Sequence, residues 1–136
     1  MACAVGLEVL NITLEQDLPG NAAARGEELL QGLHDLAGQH PIIGEVRGKG
    51  LLTAIELVRD RGSKAPFPPG RGVNTLLTDL AFDQGLIVYP RRPINGLRGD
   101  HVLVAPPLIV TSQEIDMILD RLDKALGATE SRLGLA

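Results

Sequence analysis

Residues 98–116 read Arg98-Gly-Asp-His-Val-Leu-Val-Ala-Pro-Pro-Leu-Ile-Val-Thr-Ser-Gln-Glu-Ile-Asp116. A polar turn, a short apolar strand, a double proline and a capped helix succeed one another within this one stretch. Val102–Ala105 is β-branched and apolar, as a buried strand requires. Pro106 and Pro107 have no N–H to give to a ladder, so pairing must stop there. Thr111 can offer its hydroxyl to the free N–H groups of a new helix, and Glu114 stands three residues on to complete a capping box.

Outward from this stretch, the helix opened by Thr111 carries Ile115, Ile118, Leu119, Leu122 and Leu126 at helical spacing, so the pattern predicts a helix over Thr111–Leu126, with the last several residues frayed. Upstream of the strand at His101–Ala105 lie a long loop, Pro90–Asp100, and an apolar strand, Leu86–Tyr89. Val73–Gln84 reads as a helix with Leu76, Leu77 and Leu80 inward and Gly85 as its cap. Residues 59–71 are polar and proline-rich and form a loop. Ile42–Val58 changes period: Val46 opens one strand and Leu51–Val58 is a second, with Gly48-Lys49-Gly50 between them. A helix with Leu29, Leu30, Leu33 and Leu36 inward and Arg25, Glu27, Glu28 and Asp35 outward begins after the break at 17–21 and ends near Gly38. Met1–Leu14 is helical in composition, with Ala4, Leu7, Leu10 and Leu14 spaced for one face. It has no N-cap, so the pattern reads as if it starts inside a larger protein.

The order is helix, helix, strand, strand, helix, strand, strand, helix. Strand pairs separated by single helices predict an α+β fold, a small, largely antiparallel sheet with helices packed on one face. Residues 1–40 are expected to form a helical segment leading from a missing large domain, and residues 41–136 a small C-terminal domain.

Composition narrows the function classes. The chain has 136 residues, a net charge of -4 and a hydrophobic fraction of 44%. That is enough for one real core, and the balance gives no reason to expect nucleic acid or an anionic membrane as partner. With aromatic residues at 2%, base stacking is badly served as well. A single cysteine, Cys3, excludes an internal disulfide, fits a reducing, cytoplasmic setting, and is expected to be packed in the core. No apolar run approaches membrane-spanning length.

Four stretches in register carry a resemblance. Met1-Ala-Cys-Ala-Val-Gly-Leu-Glu-Val-Leu10, Val46-Arg-Gly-Lys-Gly-Leu-Leu-Thr-Ala-Ile-Glu-Leu-Val58, Gly85-Leu-Ile-Val-Tyr-Pro90 and His101–Asp116 resemble, in order and spacing, the C-terminal portion of class III aminotransferases. These are pyridoxal-phosphate (PLP) enzymes of fold type I. The resemblance implies transfer of an amino group between an amine or amino acid and a 2-oxo acid, in a homodimer. It also implies that the Schiff-base lysine, the aspartate on the pyridine nitrogen and the phosphate contacts lie in an upstream domain. The lysines present, Lys49, Lys64 and Lys124, match no catalytic position of the family, so the chain alone is expected neither to bind PLP nor to transaminate. An aminomutase or racemase of the same fold, or a stand-alone non-catalytic interaction module, are the alternative readings.

Substrate binding falls to three residues in this reading, Arg98, Arg92 and Tyr89. An aminotransferase must hold a substrate carboxylate, which a guanidinium grips bidentately. Several relatives place such an arginine where this chain has Tyr89, and others just before the Ala-Pro-Pro, where it has Leu103. Arg98 stays open between carboxylate ligand and ordinary loop residue, and Tyr89 between pocket lining and half-buried packing. Arg91 reads as a solvated loop arginine. His101 reads as a strand-end residue bonded to Asp100 or to backbone, and His34 and His40, on a helix face and at a helix end, share no metal-ligand spacing with it. Gly48-Lys49-Gly50 sits between strands, where a phosphate cradle would need a helix N-terminus, so a tight bend is expected.

Overall fold

The computed structural model describes residues 1–68, 70–91 and 99–135. Eight elements succeed one another: α1 (Ala2–Glu15), α2 (Leu18–Gln39), β1 (Ile43–Lys49), β2 (Leu52–Leu57), α3 (Val73–Asp83), β3 (Tyr89–Arg91), β4 (Asp100–Val104) and α4 (Ser112–Leu133). The strands form one sheet in the order β1-β2-β4-β3, with every neighbouring pair antiparallel. This is the α+β layer the element order predicts.

Register decides which residues meet the helices. Val46, Ile55, Val102 and Pro90 stand opposite one another across the four strands, as do Gly48, Thr53 and Val104 on the first three. Side chains alternate along a strand, so these rows share one face, and Ile55, Val102, Thr53 and Val104 are buried. On this face α2 packs on β1 and β2, α3 packs on β3 and β4, and α4 closes against α2 and α3. The core is almost wholly aliphatic, with Leu29, Leu33, Ile42, Ile43, Ile55, Leu57, Leu77, Ile115, Leu122 and Leu126 fully buried.

Local chemistry sets the ends. β4 stops at Val104, just before the double proline. Thr111 then caps α4: its hydroxyl accepts from the Glu114 N–H at 3.3 Å, and the Glu114 carboxylate accepts from the Thr111 N–H at 2.8 Å. Asn21 on α2 donates from Nδ2 to the carbonyls of Leu108 and Val110, at 2.7 and 3.1 Å, which ties the connection after β4 to the start of α2. The tight bend read at Gly48-Lys49-Gly50 falls further on, at Gly50-Leu51, because Gly48 and Lys49 still pair with Thr53 and Leu52 in the ladder. It closes the β1–β2 hairpin with Gly50 at φ +55°, and α2 comes so close that a Cβ on Gly26 would lie 2.3 Å from the Gly50 carbonyl carbon.

Several expectations are corrected. The strand read at Leu86–Tyr89 pairs instead at Tyr89–Arg91; Leu86 and Val88 are buried, but they reach the core from outside the ladder. The helix read to Leu126 continues to Leu133, and Thr129 and Glu130, placed in a fraying tail by sequence, are buried. The break at 17–21 shrinks to Gln16–Asp17, because the Asp17 carboxylate caps α2 from Gly20 N–H and Pro19 fits a first helical turn. Cys3, expected in the core, is exposed on α1, a helix with no buried residue at all.

Candidate functional site

The face of the sheet away from the helices is open. It carries Arg47, Ala54, Leu103 and Tyr89 in one row, and Glu45, Glu56, His101 and Arg91 in the next. A glycine-centred irregularity between Ile43 and Glu45 makes this arrangement, since the register shift there turns Ile43 into the core and Glu45 outward. Arg47 bridges its neighbours in the charged row, at 3.7 Å from Glu45 and 3.6 Å from Glu56.

Tyr89 is 56% exposed at the β3 edge of this face. Arg91, two residues on and therefore on the same side, lays its guanidinium over the Tyr89 ring at 5.6 Å from the centroid, with Nη1 3.4 Å from the phenol oxygen. The backbone beneath is fixed: the Asn74 side chain, buried at the first turn of α3, donates from Nδ2 to the Arg91 carbonyl at 3.1 Å. Pro90, between them, turns to the core side. Arg91, read from sequence as a loop residue, is thus a strand residue with its planar cation held against an aromatic ring, a shape suited to a carboxylate. Arg92 and Arg98 lie outside the described residues. Arg91 and His101 face each other across the β3–β4 ladder.

A second cluster escaped the sequence reading. His40, at the end of α2, lies buried between two carboxylates of α4, with Nδ1 2.9 Å from Glu130 and Nε2 2.8 Å from Asp123. Burial disfavours its charged form, but hydrogen bonds and the negative charges of Glu130 and Asp123 outweigh that, and its pKa is raised above the ordinary 6.5. Arg61 braces the same corner, donating to the carbonyls of Ile43 at 2.9 Å and His40 at 2.6 Å, and to that of Ala37. No local pattern joins residues ninety positions apart, so no sequence signal could have found it.

The three lysines all lie on the surface. Lys49 is exposed at the β1–β2 hairpin, Lys64 reaches Glu45 at 3.8 Å from an exposed loop, and Lys124 pairs with Asp120 on the same helix at 2.6 Å. An amine that condenses with the cofactor needs a pocket with an acid for the ring nitrogen and donors for the phosphate. Among the described residues no such set of acid and phosphate donors surrounds these lysines, and the resemblance puts that set in an upstream domain.

Residues 1–126 match the sequence profile of the family described as aminotransferase class-III. The chain belongs to the class III aminotransferases. Its relatives include an uncharacterised aminotransferase of Schizosaccharomyces pombe, 38% identical over 98% of this chain, and the taurine–pyruvate aminotransferase of Rhodobacter capsulatus, 43% identical over 90% of it. Among solved class III structures, the ω-transaminase of Pseudomonas jessenii in complex with PMP superposes on 98% of the chain with a TM-score of 0.85 at 39% identity. The chain spans only 29%, 26% and 28% of these three proteins, respectively. No helix among the described residues is long and apolar enough to cross a membrane.

Proposed function

We propose that this chain is the C-terminal, substrate-side part of a PLP-dependent transaminase that moves an amino group between an amine or amino acid and a 2-oxo acid. The observation that carries this reading is the family match along nearly the whole chain, joined to the short span it covers of each relative. PLP supplies the electron sink for such chemistry, and its pocket belongs to residues other than those of this chain. Residues 1–40 then form the helical passage from that cofactor-bearing region and residues 41–136 the small domain, within a cytoplasmic homodimer.

α1 supports the same reading. Val5, Leu7, Val9, Leu10, Ile12 and Leu14 are all exposed and fall on two opposite sides of the helix, with Glu8, Asn11 and Glu15 on a third. A helix with two exposed apolar sides belongs against a larger body. A stand-alone interaction module would leave that surface in water.

Substrate recognition is assigned to the β3 edge. Tyr89 lines the approach, and Arg92 and Arg98, on the segment joining β3 to β4, meet the carboxylate of substrate. The test is kinetic. The PLP-loaded enzyme containing this chain is assayed with amino-acid and simple amine donors against pyruvate. Arg98→Ala should raise KM for carboxylate-bearing donors far more than for simple amines, and equal effects on both would remove Arg98 from the site. Loaded enzyme that moves no amino group to any oxo acid, yet isomerises an amino acid, would replace the transaminase with the aminomutase or racemase reading.

A further inference from the structure

We propose that His40, Glu130 and Asp123 form a pH-dependent latch that fastens the last two turns of α4 to the corner between α2 and β1. Geometry carries the argument. Glu130 is buried, its Oε2 meets His40 Nδ1, and its Oε1 is buried with no hydrogen-bond partner among the described residues. Among the described residues the charged groups facing the imidazole are Glu130 and Asp123 from α4; from the segment after β2, Arg61 meets the His40 backbone carbonyl rather than its ring. On α2 itself, Asp35 is engaged by Gln31 at 3.0 Å, pointing its charge elsewhere.

An imidazolium donates from both nitrogens, and so satisfies both carboxylates at once. A neutral ring donates from one only. Asp123 is the more exposed partner and can turn to water, so the single N–H stays with Glu130. The positive charge is then gone, and a buried carboxylate with one orphan oxygen faces an uncharged ring. Glu130 must take up a proton, or its turn must open to water. That turn anchors residues 133–135: the Leu135 N–H donates to the Glu130 carbonyl at 2.9 Å, and Leu133 and Leu135 form one wall of a cleft of about 380 Å³ opposite Phe67, Pro68, Arg59 and Arg71. Releasing the latch loosens that wall while the sheet stays intact.

The sign is set by the raised His40 pKa. Stabilisation is complete below the ordinary histidine value and is lost as pH rises through the elevated one; each unit of elevation corresponds to about a tenfold change in the closed-to-open ratio. Hydrogen exchange on the full chain, corrected for intrinsic rates, is the measurement, with the His40 ring titrated by NMR alongside. Peptides covering 127–133 should lose protection as His40 deprotonates, while peptides of β2 and β4 keep theirs. His40→Gln should abolish that pH dependence. Should His40→Gln fail to fold, Asp123→Asn serves, and should move both the ring titration and the loss of protection to lower pH. Protection of 127–133 that does not change across the ring titration would overturn the latch. So would an Asp123→Asn protein whose transition stays in place.

Discussion

α1 and α4 are both helices rich in aliphatic residues, and they end in opposite situations. α1 exposes every one of its large side chains, whereas α4 buries Ile115, Leu122, Ala125, Leu126, Thr129 and Glu130. The difference is one of arrangement. In α4 the residues 115, 118, 119, 122 and 126 fall on one stripe, which the grooves of α2 and α3 can cover. In α1 the positions 5, 7, 9, 10, 12 and 14 lie on two opposite sides of the axis, and a single neighbour could cover only part of them. Apolar content measures how much surface a helix needs hidden; its angular spread tells how many neighbours must hide it. α4 is therefore covered within this chain, whereas among the described residues nothing buries α1.

The sharpest way to break that comparison is the same truncation in both helices. Leu122 is fully buried, so Leu122→Ala should cost about 2–5 kcal/mol through lost transfer and a cavity, enough to unfold a domain of ordinary stability. Leu10 is 61% exposed, and Leu10→Ala should change the stability of this chain by less than about 0.5 kcal/mol. Urea denaturation measures both. In the larger enzyme Leu10→Ala should become costly too. A Leu10→Ala effect equally small in both contexts would mean that α1 stays exposed.

A glycine pair sharpens the point with a change of sign. Gly26 in α2 lies against the hairpin turn, where the atoms in the way are backbone and cannot step aside. Gly26→Ala should therefore destabilise by about 1–3 kcal/mol, as overpacking does. Gly6 in α1 has nothing within 4 Å of where a Cβ would be. Gly6→Ala should then strengthen its helix by roughly 0.5–1 kcal/mol, seen as higher helicity and slower amide exchange in α1. Two substitutions that look alike in sequence differ only in what stands beside them.

The same distinction explains what sequence could reveal. β4, the double-proline stop and the Thr111 cap were legible because each depends on residues within a few positions. A hairpin bend near Gly50 was legible for the same reason, although the turn itself is Gly50-Leu51 and Gly48 and Lys49 pair in β1. β3 was displaced because Leu86–Val88 has strand composition, while the ladder is set by where β4 offers partners, at His101–Leu103. The end of α4 was misplaced because Thr129 and Glu130 are polar; the Thr129 hydroxyl is satisfied by the Ala125 carbonyl at 2.7 Å, and His40, folded back from α2, meets the Glu130 carboxylate. At the candidate site, Tyr89 was legible from its strand position. The stacking of Arg91 on it depends on β3 running through Arg91, which the loop reading of Pro90–Asp100 had excluded.

The smallest expected effect tests the feature that was easiest to read. Thr111→Ala removes the hydroxyl that accepts from Glu114 N–H, and loss of such a cap costs about 1 kcal/mol. The box is reciprocal, so Glu114 reports on it independently. Its carboxyl is held below the ordinary glutamate value first by the Thr111 backbone N–H and then by the Thr111 hydroxyl. A depressed carboxylate stabilises the fold above the unfolded value, and that contribution fades as pH falls through the folded one. Thr111→Ala deletes the hydroxyl and keeps the backbone N–H, so an NMR titration of Glu114 should move only part of the way back toward the usual range. A full return would mean that the N-cap backbone had moved as well, and that the hydroxyl, rather than the double proline before it, fixes where α4 begins. No movement would leave the hydroxyl bond at 2.9 Å without influence on the carboxylate it touches.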